Sequence, residues 1–344
     1  MKKVRVAING FGRIGRAFVR QAMEVPSIDI VAINDLGNIE NLAYLLKYDT
    51  VYKRANFEIK VLEEKKLQLV NHDKVQEVVF ISEKVPENLP WKNLNIDVVI
   101  ESTGLFTKFS DAAVHIKAGA RKVVISAPAK DEPTTDEQAT VLMGVNQEKL
   151  KICSITSNAS CTTNASSPLI SILDEALGIE KALLSTTHGY TASQALVDAP
   201  NKKDFREGRA AAQNIVPSST GAAIAVTKAF PKLNNLFDGI SLRVPVPAGS
   251  IVDVTFISKK TTTALEVNEI LKKAAKNKKW EGIFTVTEED LVSSDILGEA
   301  FASIADLQFT HVVGGNLIKV LAWYDNESGY TRTLVKHVLE TGQY

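Results

Sequence analysis

The first half of the chain alternates short apolar runs, rich in Val and Ile, with segments whose apolar residues recur every three or four positions. Such runs are typical of buried strands, and such segments of amphipathic helices. Their alternation predicts a parallel sheet covered by helices on both faces. The predicted strands are VRVAI (4–8), IDIVAIND (28–35), DVVIEST (97–103) and KVVISAPA (122–129), and the predicted helices cover 14–25, 41–48 and 111–120.

The pattern changes after residue 160, where longer β-rich runs appear beside further helical segments. A chain of 344 residues is also too long for one ordinary core. We therefore predict an α/β protein with a parallel-sheet domain over 1–160 and an α+β domain with a mostly antiparallel sheet over 161–327. The amphipathic segment 328–344 is expected to form a helix that packs back on the first domain. The later β-rich runs are 182–190, 239–247 and 250–258, and the clearest helix between them and the C-terminus is 267–277.

Composition argues against several classes of partner and location. Forty basic residues balance forty acidic ones, so no net charge attracts nucleic acid or an anionic membrane. The N-terminal MKKVRVAING lacks the apolar stretch of a signal peptide, and no apolar run approaches the roughly 18 residues of a membrane span. The two cysteines, Cys153 and Cys161, are too few for a disulfide framework. The sequence therefore predicts a cytoplasmic protein with neither a nucleic acid nor a membrane as partner.

The first predicted strand leads into NGFGRIG, a G-x-G-x-x-G pattern that opens the first predicted helix. In this context the pattern is the fingerprint of a dinucleotide site. Gly10 permits a tight turn, Gly12 lets a pyrophosphate approach the backbone, and Gly15 lets the helix lie close to the strand. The next predicted strand ends at Asp35, where a carboxylate accepts hydrogen bonds from both ribose hydroxyls and repels a 2′-phosphate. We therefore predict a Rossmann-type domain that binds NAD, with an ordinary acidic strand end as the alternative for Asp35.

One cysteine stands in SNASCTTNAS (157–166), among small polar residues. Cys161 begins a predicted helix that runs towards Gly178, and a helix N-terminus stabilises a thiolate and can hold an oxyanion. A free cysteine is more often a small buried hydrophobe, and this is the interpretation adopted for Cys153. The polar neighbours of Cys161 favour a reactive nucleophile instead.

A nucleophilic thiol needs a base, and the chain has five histidines. His188, in STTHGYT, lies at the end of the predicted strand that follows the Cys161 helix. A strand–helix–strand excursion can return the chain to the same edge of the fold, so His188 is the best candidate. Spacing alone leaves a structural histidine equally open.

Five further motifs occur in order along the chain: SNASCTTN, TTHGYTASQ, GRAAAQNIVPSSTGAA, LRVPVP and WYDNESGY. Together they resemble the phosphorylating glyceraldehyde-3-phosphate dehydrogenase family, and the resemblance extends from NGFGRIG to the terminal helix. It implies NAD-dependent oxidative phosphorylation of glyceraldehyde 3-phosphate to 1,3-bisphosphoglycerate, in glycolysis or gluconeogenesis. By this resemblance Cys161 forms a hemithioacetal and then a thioester, His188 raises the thiolate fraction and takes the hydroxyl proton, and inorganic phosphate cleaves the thioester.

The resemblance also assigns ligands, and it implies a homotetramer without a metal. The substrate phosphate would be bound by Thr191 and Arg243, and the attacking phosphate by Ser160, Thr162, Thr220 and Gly221. The run 196–213 resembles the loop that reaches a neighbouring subunit's cofactor. The residues matched to NAD are Gly10, Gly12, Arg13, Ile14, Gly15, Asp35, Lys84, Thr103, Ser126 and Asn326, with Asn326 holding the carboxamide.

The sequence leaves two alternative functions open. Erythrose-4-phosphate dehydrogenase shares the fold and the thiol, although GRAAAQNIVPSSTGAA looks more like the glyceraldehyde-3-phosphate enzyme. A binding protein that has lost the chemistry is the second alternative, against which the set Cys161, His188, Thr191 and Arg243 argues. The chain departs from the family pattern at Ala165, where a second cysteine is frequent, and at Lys84, where arginine is frequent.

Overall fold

The computed structural model describes residues 3–63, 65–72, 74–202 and 204–344. The chain divides into two compact units. One contains the residues up to Ala159 together with Thr331–Tyr344, and the other contains Ser160–Tyr330.

Nine of the described strands of the first unit form one sheet, in the order β10-β11-β9-β8-β1-β2-β7-β6-β5. Neighbours from β10 to β7 are parallel, whereas β6 and β5 are antiparallel. The predicted parallel sheet is thus confirmed, with an antiparallel extension at one edge. Its helices are α1 (Arg13–Ala22), α2 (Ile39–Lys47) and α3 (Phe109–Lys117), and its strands are β1 (Val4–Asn9), β2 (Ile28–Asn34), β3 (Tyr48–Asp49), β4 (Lys53–Arg54), β5 (Glu58–Leu62), β6 (Lys66–Asn71), β7 (Lys74–Ile81), β8 (Val98–Glu101), β9 (Lys122–Ile125), β10 (Gln138–Thr140) and β11 (Ile155–Ser157), with β3 and β4 forming a separate hairpin.

Apolar side chains of this sheet pack into separate clusters because successive residues of a strand point to opposite faces. Val6 and Ile8 of β1 belong to a cluster that includes Phe18 of α1 and Leu334 near the C-terminus. Ala7, between them, belongs to a cluster around Trp91. The central strands are therefore buried on both faces, as parallel strands usually are.

The second unit holds a seven-stranded sheet in the order β13-β14-β12-β15-β18-β17-β16. Four of its six strand pairs are antiparallel, which confirms the predicted mostly antiparallel sheet. Its helices are α4 (Cys161–Leu177), α5 (Ala222–Ala229) and α6 (Ala264–Ala275), and its strands are β12 (Ile179–Gly189), β13 (Val216–Ser219), β14 (Phe237–Val244), β15 (Ser250–Ser258), β16 (Phe284–Thr287), β17 (Ser303–Val313) and β18 (Leu317–Tyr324). The last helix, α7 (Ser328–Thr341), begins in this unit, and its residues from Thr331 onward belong to the first.

Two features of the second unit position the candidate site. Helix α4 begins at Cys161, where the Ser160 side chain accepts a hydrogen bond from the Thr163 N–H, and it stops at Gly178, which has a φ of +71°. Strand β12 pairs with β14 so that His188 lies opposite Arg243. Because side chains alternate along a strand, Thr186 and His188 point to the same face.

Candidate active site

The Sγ atom of Cys161 lies 3.3 Å from Nε2 of His188. The helix places the sulfur at its first residue, and the end of β12 places the imidazole beside it. This is hydrogen-bond distance for a sulfur, so a proton can pass directly between thiol and imidazole. The two residues that the sequence suggested as nucleophile and base are therefore neighbours.

The ionisation of this pair differs from the sequence-based expectation of a stabilised thiolate. Burial raises the pKa of Cys161, although the positive charge of Arg243 and hydrogen bonds from the Thr162 hydroxyl and the backbone act in the opposite direction. Burial and Arg243 together lower the pKa of His188 to about 3. These shifts favour a thiol beside a neutral imidazole, and at this distance a thiolate can form by proton transfer to Nε2.

Arg243 joins the pair from β14. Its Nη1 atom lies 2.6 Å from Nδ1 of His188, on the side of the ring opposite to the sulfur. The carbonyl oxygen of Gly189 lies at the same distance from the same nitrogen. A guanidinium in this position can also bind a phosphate by two parallel hydrogen bonds, which suits the expected substrate ligand.

The other expected phosphate ligands of this unit lie on two helix starts and one turn. The Ser160 hydroxyl caps α4, and the Thr220 hydroxyl accepts from the Ala222 N–H where α5 begins after Gly221. The Thr191 hydroxyl lies 3.1 Å from that of Ser193. Thr162 is buried, and its hydroxyl lies 2.9 Å from the Tyr324 hydroxyl. Free N–H groups at helix starts suit anions, but the roles of all these residues stay predictions.

The glycine turn of the first unit leaves space where a dinucleotide would approach. Gly10 has a φ of +97°, and a Cβ on Gly15 would lie 2.4 Å from the Gly10 oxygen, so both positions require glycine. A Cβ on Gly12 would meet nothing within 4 Å. Gly12 caps α1, so the open position lies at a helix N-terminus, where a pyrophosphate is stabilised. This geometry fits the NAD expected from the sequence.

The other residues expected around NAD are placed as follows. Asp35 accepts hydrogen bonds from the N–H of Phe11 at 2.7 Å and of Gly37 at 2.8 Å, which ties the end of β2 to the glycine turn. Arg13 pairs with Asp49 at 3.0 Å. Ile14 packs against the core cluster of α1 and β1, Lys84 is exposed after β7, the Ser126 hydroxyl donates to the Glu101 carbonyl, and Asn326 accepts from the Gly249 N–H in the second unit.

Glu101, a buried carboxylate close to the glycine turn, was not predicted from the sequence as a functional residue. Glu101 at the end of β8 accepts from Asn9 at 2.6 Å and from the N–H and hydroxyl of Thr103, and it lies 3.0 Å from Nε2 of His115. The indole N–H of Trp91 donates to Nδ1 of His115, so Nε2 carries the hydrogen and donates to Glu101. The only local signal was an acidic residue at the end of an apolar strand.

Comparison with known proteins decides the family. Residues 4–109 match the model of the NAD binding domain of glyceraldehyde 3-phosphate dehydrogenase, and residues 160–326 match the model of its C-terminal domain. The chain belongs to the glyceraldehyde-3-phosphate dehydrogenase family. The dehydrogenase of this name from Streptomyces coelicolor is 47% identical over 335 residues, and that from Geobacillus stearothermophilus 46% over 334, each alignment covering 96% of both chains. Glyceraldehyde-3-phosphate dehydrogenase 1 of Bacillus subtilis is 44% identical over 334 residues. These relatives favour this family over the erythrose-4-phosphate alternative.

None of the described helices is long and apolar enough to cross a membrane. In the same part of the chain, no three His, Cys, Asp or Glu side chains form a group that could hold a metal ion.

Proposed function

We propose that this chain oxidises glyceraldehyde 3-phosphate to 1,3-bisphosphoglycerate with NAD and inorganic phosphate, through a thioester on Cys161. The observation that carries the proposal is the 3.3 Å distance between the Cys161 sulfur and Nε2 of His188. A thiol suits this chemistry because a thioester conserves the energy of aldehyde oxidation, which phosphate then captures as an acyl phosphate.

The proposed steps use the proton that the pair shares. His188 Nε2 takes the thiol proton as the sulfur attacks the aldehyde carbon, and it returns that proton to the oxygen, which gives a hemithioacetal. Bound NAD would supply the hydride acceptor for the oxidation of this carbon. His188 Nε2 takes the hydroxyl proton in the same step, and a thioester remains on Cys161. A phosphate oxygen then attacks the thioester carbon, the C–S bond breaks, and the released thiolate takes back the proton held by His188 Nε2.

The remaining ligands act by binding and orientation. Arg243 and Thr191 hold the substrate phosphate, while Ser160, Thr162, Thr220 and Gly221 hold the attacking phosphate. Gly12, Arg13 and Ile14 hold the pyrophosphate, Asp35 the ribose, Lys84 the adenine side, and Thr103, Ser126 and Asn326 the nicotinamide side. We assign NAD binding to a domain of residues 1–160 with helix 328–344, and the chemistry to residues 161–327.

A homotetramer in the cytoplasm completes the proposal. Four apolar side chains in or next to segment 196–213 are mostly exposed: Leu196 at 80%, Val197 at 69%, Phe205 at 86% and Ile215 at 68%. Apolar exposure of this kind is typical of a surface that contacts another subunit. Light scattering after size exclusion should give about 150 kDa, four times the 37.5 kDa chain, whereas a mass near that of one chain would contradict this part.

The enzymatic proposal is tested by measuring NAD reduction with glyceraldehyde 3-phosphate in buffers with and without phosphate. We expect sustained turnover only when phosphate is present. Erythrose 4-phosphate should be oxidised much more slowly under the same conditions, and a preference for it would contradict the proposed substrate. No NAD reduction with either sugar would favour a binding protein instead.

A further inference from the structure

We propose that Tyr324 is a positioning residue that ties the helix bearing Cys161 to the strand bearing His188; the inference rests on the proposed function of this pair. Tyr324 is the last residue of β18 and is 1% exposed. Its hydroxyl lies 2.9 Å from the Thr162 hydroxyl and 2.7 Å from the Thr186 hydroxyl. One phenol therefore bridges α4 and β12 next to both members of the pair.

The two bridged residues are close to the reacting groups along the chain. Thr162 directly follows Cys161, and its hydroxyl acts to lower the pKa of the thiol. Thr186 stands two residues before His188 on β12, and so shares its face of the strand. A shift of α4 relative to β12 would therefore lengthen the distance between Sγ and Nε2 and would break the hydroxyl bridge as well.

The ring of Tyr324 also restrains the imidazole directly. Its centroid lies 5.9 Å from that of His188, with an angle of 72° between the planes, which is an edge-to-face arrangement. Nδ1 of His188 is held from the other side by Arg243 and by the Gly189 carbonyl. The imidazole is thus confined from two sides, and Nε2 faces the sulfur.

The three hydroxyls can reverse direction as the charge on sulfur changes. Tyr324 has a single hydrogen, and Thr186 has a second acceptor in the Ile251 carbonyl at 3.2 Å. Beside a neutral thiol, Thr186 can donate to Ile251, Tyr324 to Thr186, and Thr162 to Tyr324. Beside a thiolate, rotation of the same hydroxyls lets Thr186 donate to Tyr324, Tyr324 to Thr162, and Thr162 to the sulfur. Every hydroxyl keeps its own hydrogen, and the chain ends on the negative charge.

The proposal predicts a specific loss in Tyr324→Phe, which keeps the ring and removes the hydroxyl. The rate of Cys161 alkylation by iodoacetamide is measured against pH, with peptide mass spectrometry separating Cys161 from the buried Cys153. The titratable groups that face the sulfur are His188 on β12, Arg243 on β14 and Tyr324 itself. We expect alkylation at pH 7 to slow about tenfold and the profile to move to higher pH, because the Thr162 hydroxyl next to the thiolate no longer accepts a hydrogen bond from Tyr324. In turnover, kcat should fall while the NAD dissociation constant stays unchanged.

Two further variants separate this role from a loss of folding. Tyr330→Phe alters a second buried tyrosine of the same unit and should leave the alkylation profile unchanged. Thr186→Val breaks the bridge but keeps the Tyr324 hydroxyl next to Thr162, so its profile should move in the same direction by less, and the double variant should lose no more than Tyr324→Phe alone. An unchanged profile in Tyr324→Phe, or an equal loss in Tyr330→Phe, would overturn the proposal. Since alkylation requires no turnover, these results stand apart from any failure of the enzymatic assay.

Discussion

The guanidinium Nη1 atom of Arg243 lies 2.6 Å from Nδ1 of His188, and the Gly189 carbonyl oxygen lies at the same distance from that nitrogen. A guanidinium can only donate, so the contact with Arg243 requires a lone pair on Nδ1. The carbonyl can only accept, so it requires a hydrogen there. The two neighbours therefore favour opposite tautomers of His188.

The tautomer decides what Nε2 can do for the sulfur. When Arg243 donates to Nδ1, the ring hydrogen sits on Nε2 and points at Cys161, where it stabilises a thiolate. When Nδ1–H donates to Gly189, Nε2 is bare and can accept the thiol proton. Since Arg243 is also the proposed ligand of the substrate phosphate, binding of that phosphate would favour the second arrangement.

Substitution of Arg243 tests its electrostatic effect on the thiol. Its positive charge favours the thiolate and so lowers the Cys161 pKa; removal of the charge in Arg243→Gln should raise that pKa. The alkylation profile of Cys161 should therefore move to higher pH, and Arg243→Lys, which keeps the charge, should lie closer to wild type. Both variants should raise KM for the substrate about tenfold or more, because neither retains the planar fork. An unchanged pH profile of Cys161 alkylation in Arg243→Gln would contradict the proposed effect of the Arg243 charge on the thiol.

The glycine turn offers a matched pair of substitutions. Gly15→Ala places a Cβ 2.4 Å from the Gly10 oxygen, so we expect a lower melting temperature even without cofactor. Gly12→Ala meets nothing within 4 Å, so the melting temperature should stay near wild type while NAD binds more weakly. The measurements are thermal unfolding and NAD titration by calorimetry. Normal NAD affinity in Gly12→Ala would show that the pyrophosphate does not approach this residue.

Asp35, which directly follows β2, is tested against a carboxylate within that strand. In the wild type, two backbone N–H groups donate to the Asp35 carboxylate. Asp35→Asn replaces this carboxylate by an amide and removes the charge proposed to bind the ribose. We expect NAD affinity to fall by roughly 1.5–3 kcal/mol. Asp29→Asn removes the charge that pairs with Arg5 at 3.1 Å near the start of β2 and should leave NAD affinity unchanged. Equal affinities in the two variants would remove Asp35 from the site.

His337 should make the fold sensitive to acid. Burial lowers the pKa of His337 to about 3, and the imidazole contacts Thr156 at 2.8 Å and Asn158 at 3.0 Å. Its ordinary pKa is about 6.5, so between that pH and pH 3 the unfolded chain binds a proton that the folded chain excludes, and stability falls as the pH falls. From pH 7 to pH 5 this residue should cost about 2 kcal/mol. Urea unfolding at both pH values should show a smaller loss in His337→Gln, and equal losses in the two proteins would contradict the assignment.

The elements that could be predicted are those whose buried residues form a clear local pattern of apolar positions. Strands β1 and β2 and helix α1 were found close to their predicted bounds because each carries a mostly apolar run or stripe. Strands β5 to β7, over residues 58–81, went unpredicted. They lie towards one edge of the sheet, where β6 and β7 alternate buried residues with more accessible ones and β5 has no buried residue, so they lack the strong signal of a strand buried on both faces.

The sequence singled out Cys161 and His188, which the structure brings within 3.3 Å, because each lies in a short motif of polar residues. Tyr324 was not singled out, because its role depends on contacts with Thr162 and Thr186, which lie 162 and 138 positions away in sequence. Glu101 escaped for the same reason, since its partners Asn9 and His115 come from other elements. The raised pKa of Cys161 could not be predicted either. The position of a residue in a helix can be predicted from nearby residues, whereas its burial depends on the whole fold.

The acyl-enzyme on Cys161 is the central claim, and rapid mixing tests it most directly. Enzyme with NAD is mixed with glyceraldehyde 3-phosphate in phosphate-free buffer, and NADH absorbance is followed before and after phosphate is added. We predict a burst of about one NADH per chain that then stops, and steady turnover once phosphate is present. Cys161→Ser should show no burst while still binding NAD. Steady turnover without phosphate, or a full burst in Cys161→Ser, would contradict the account.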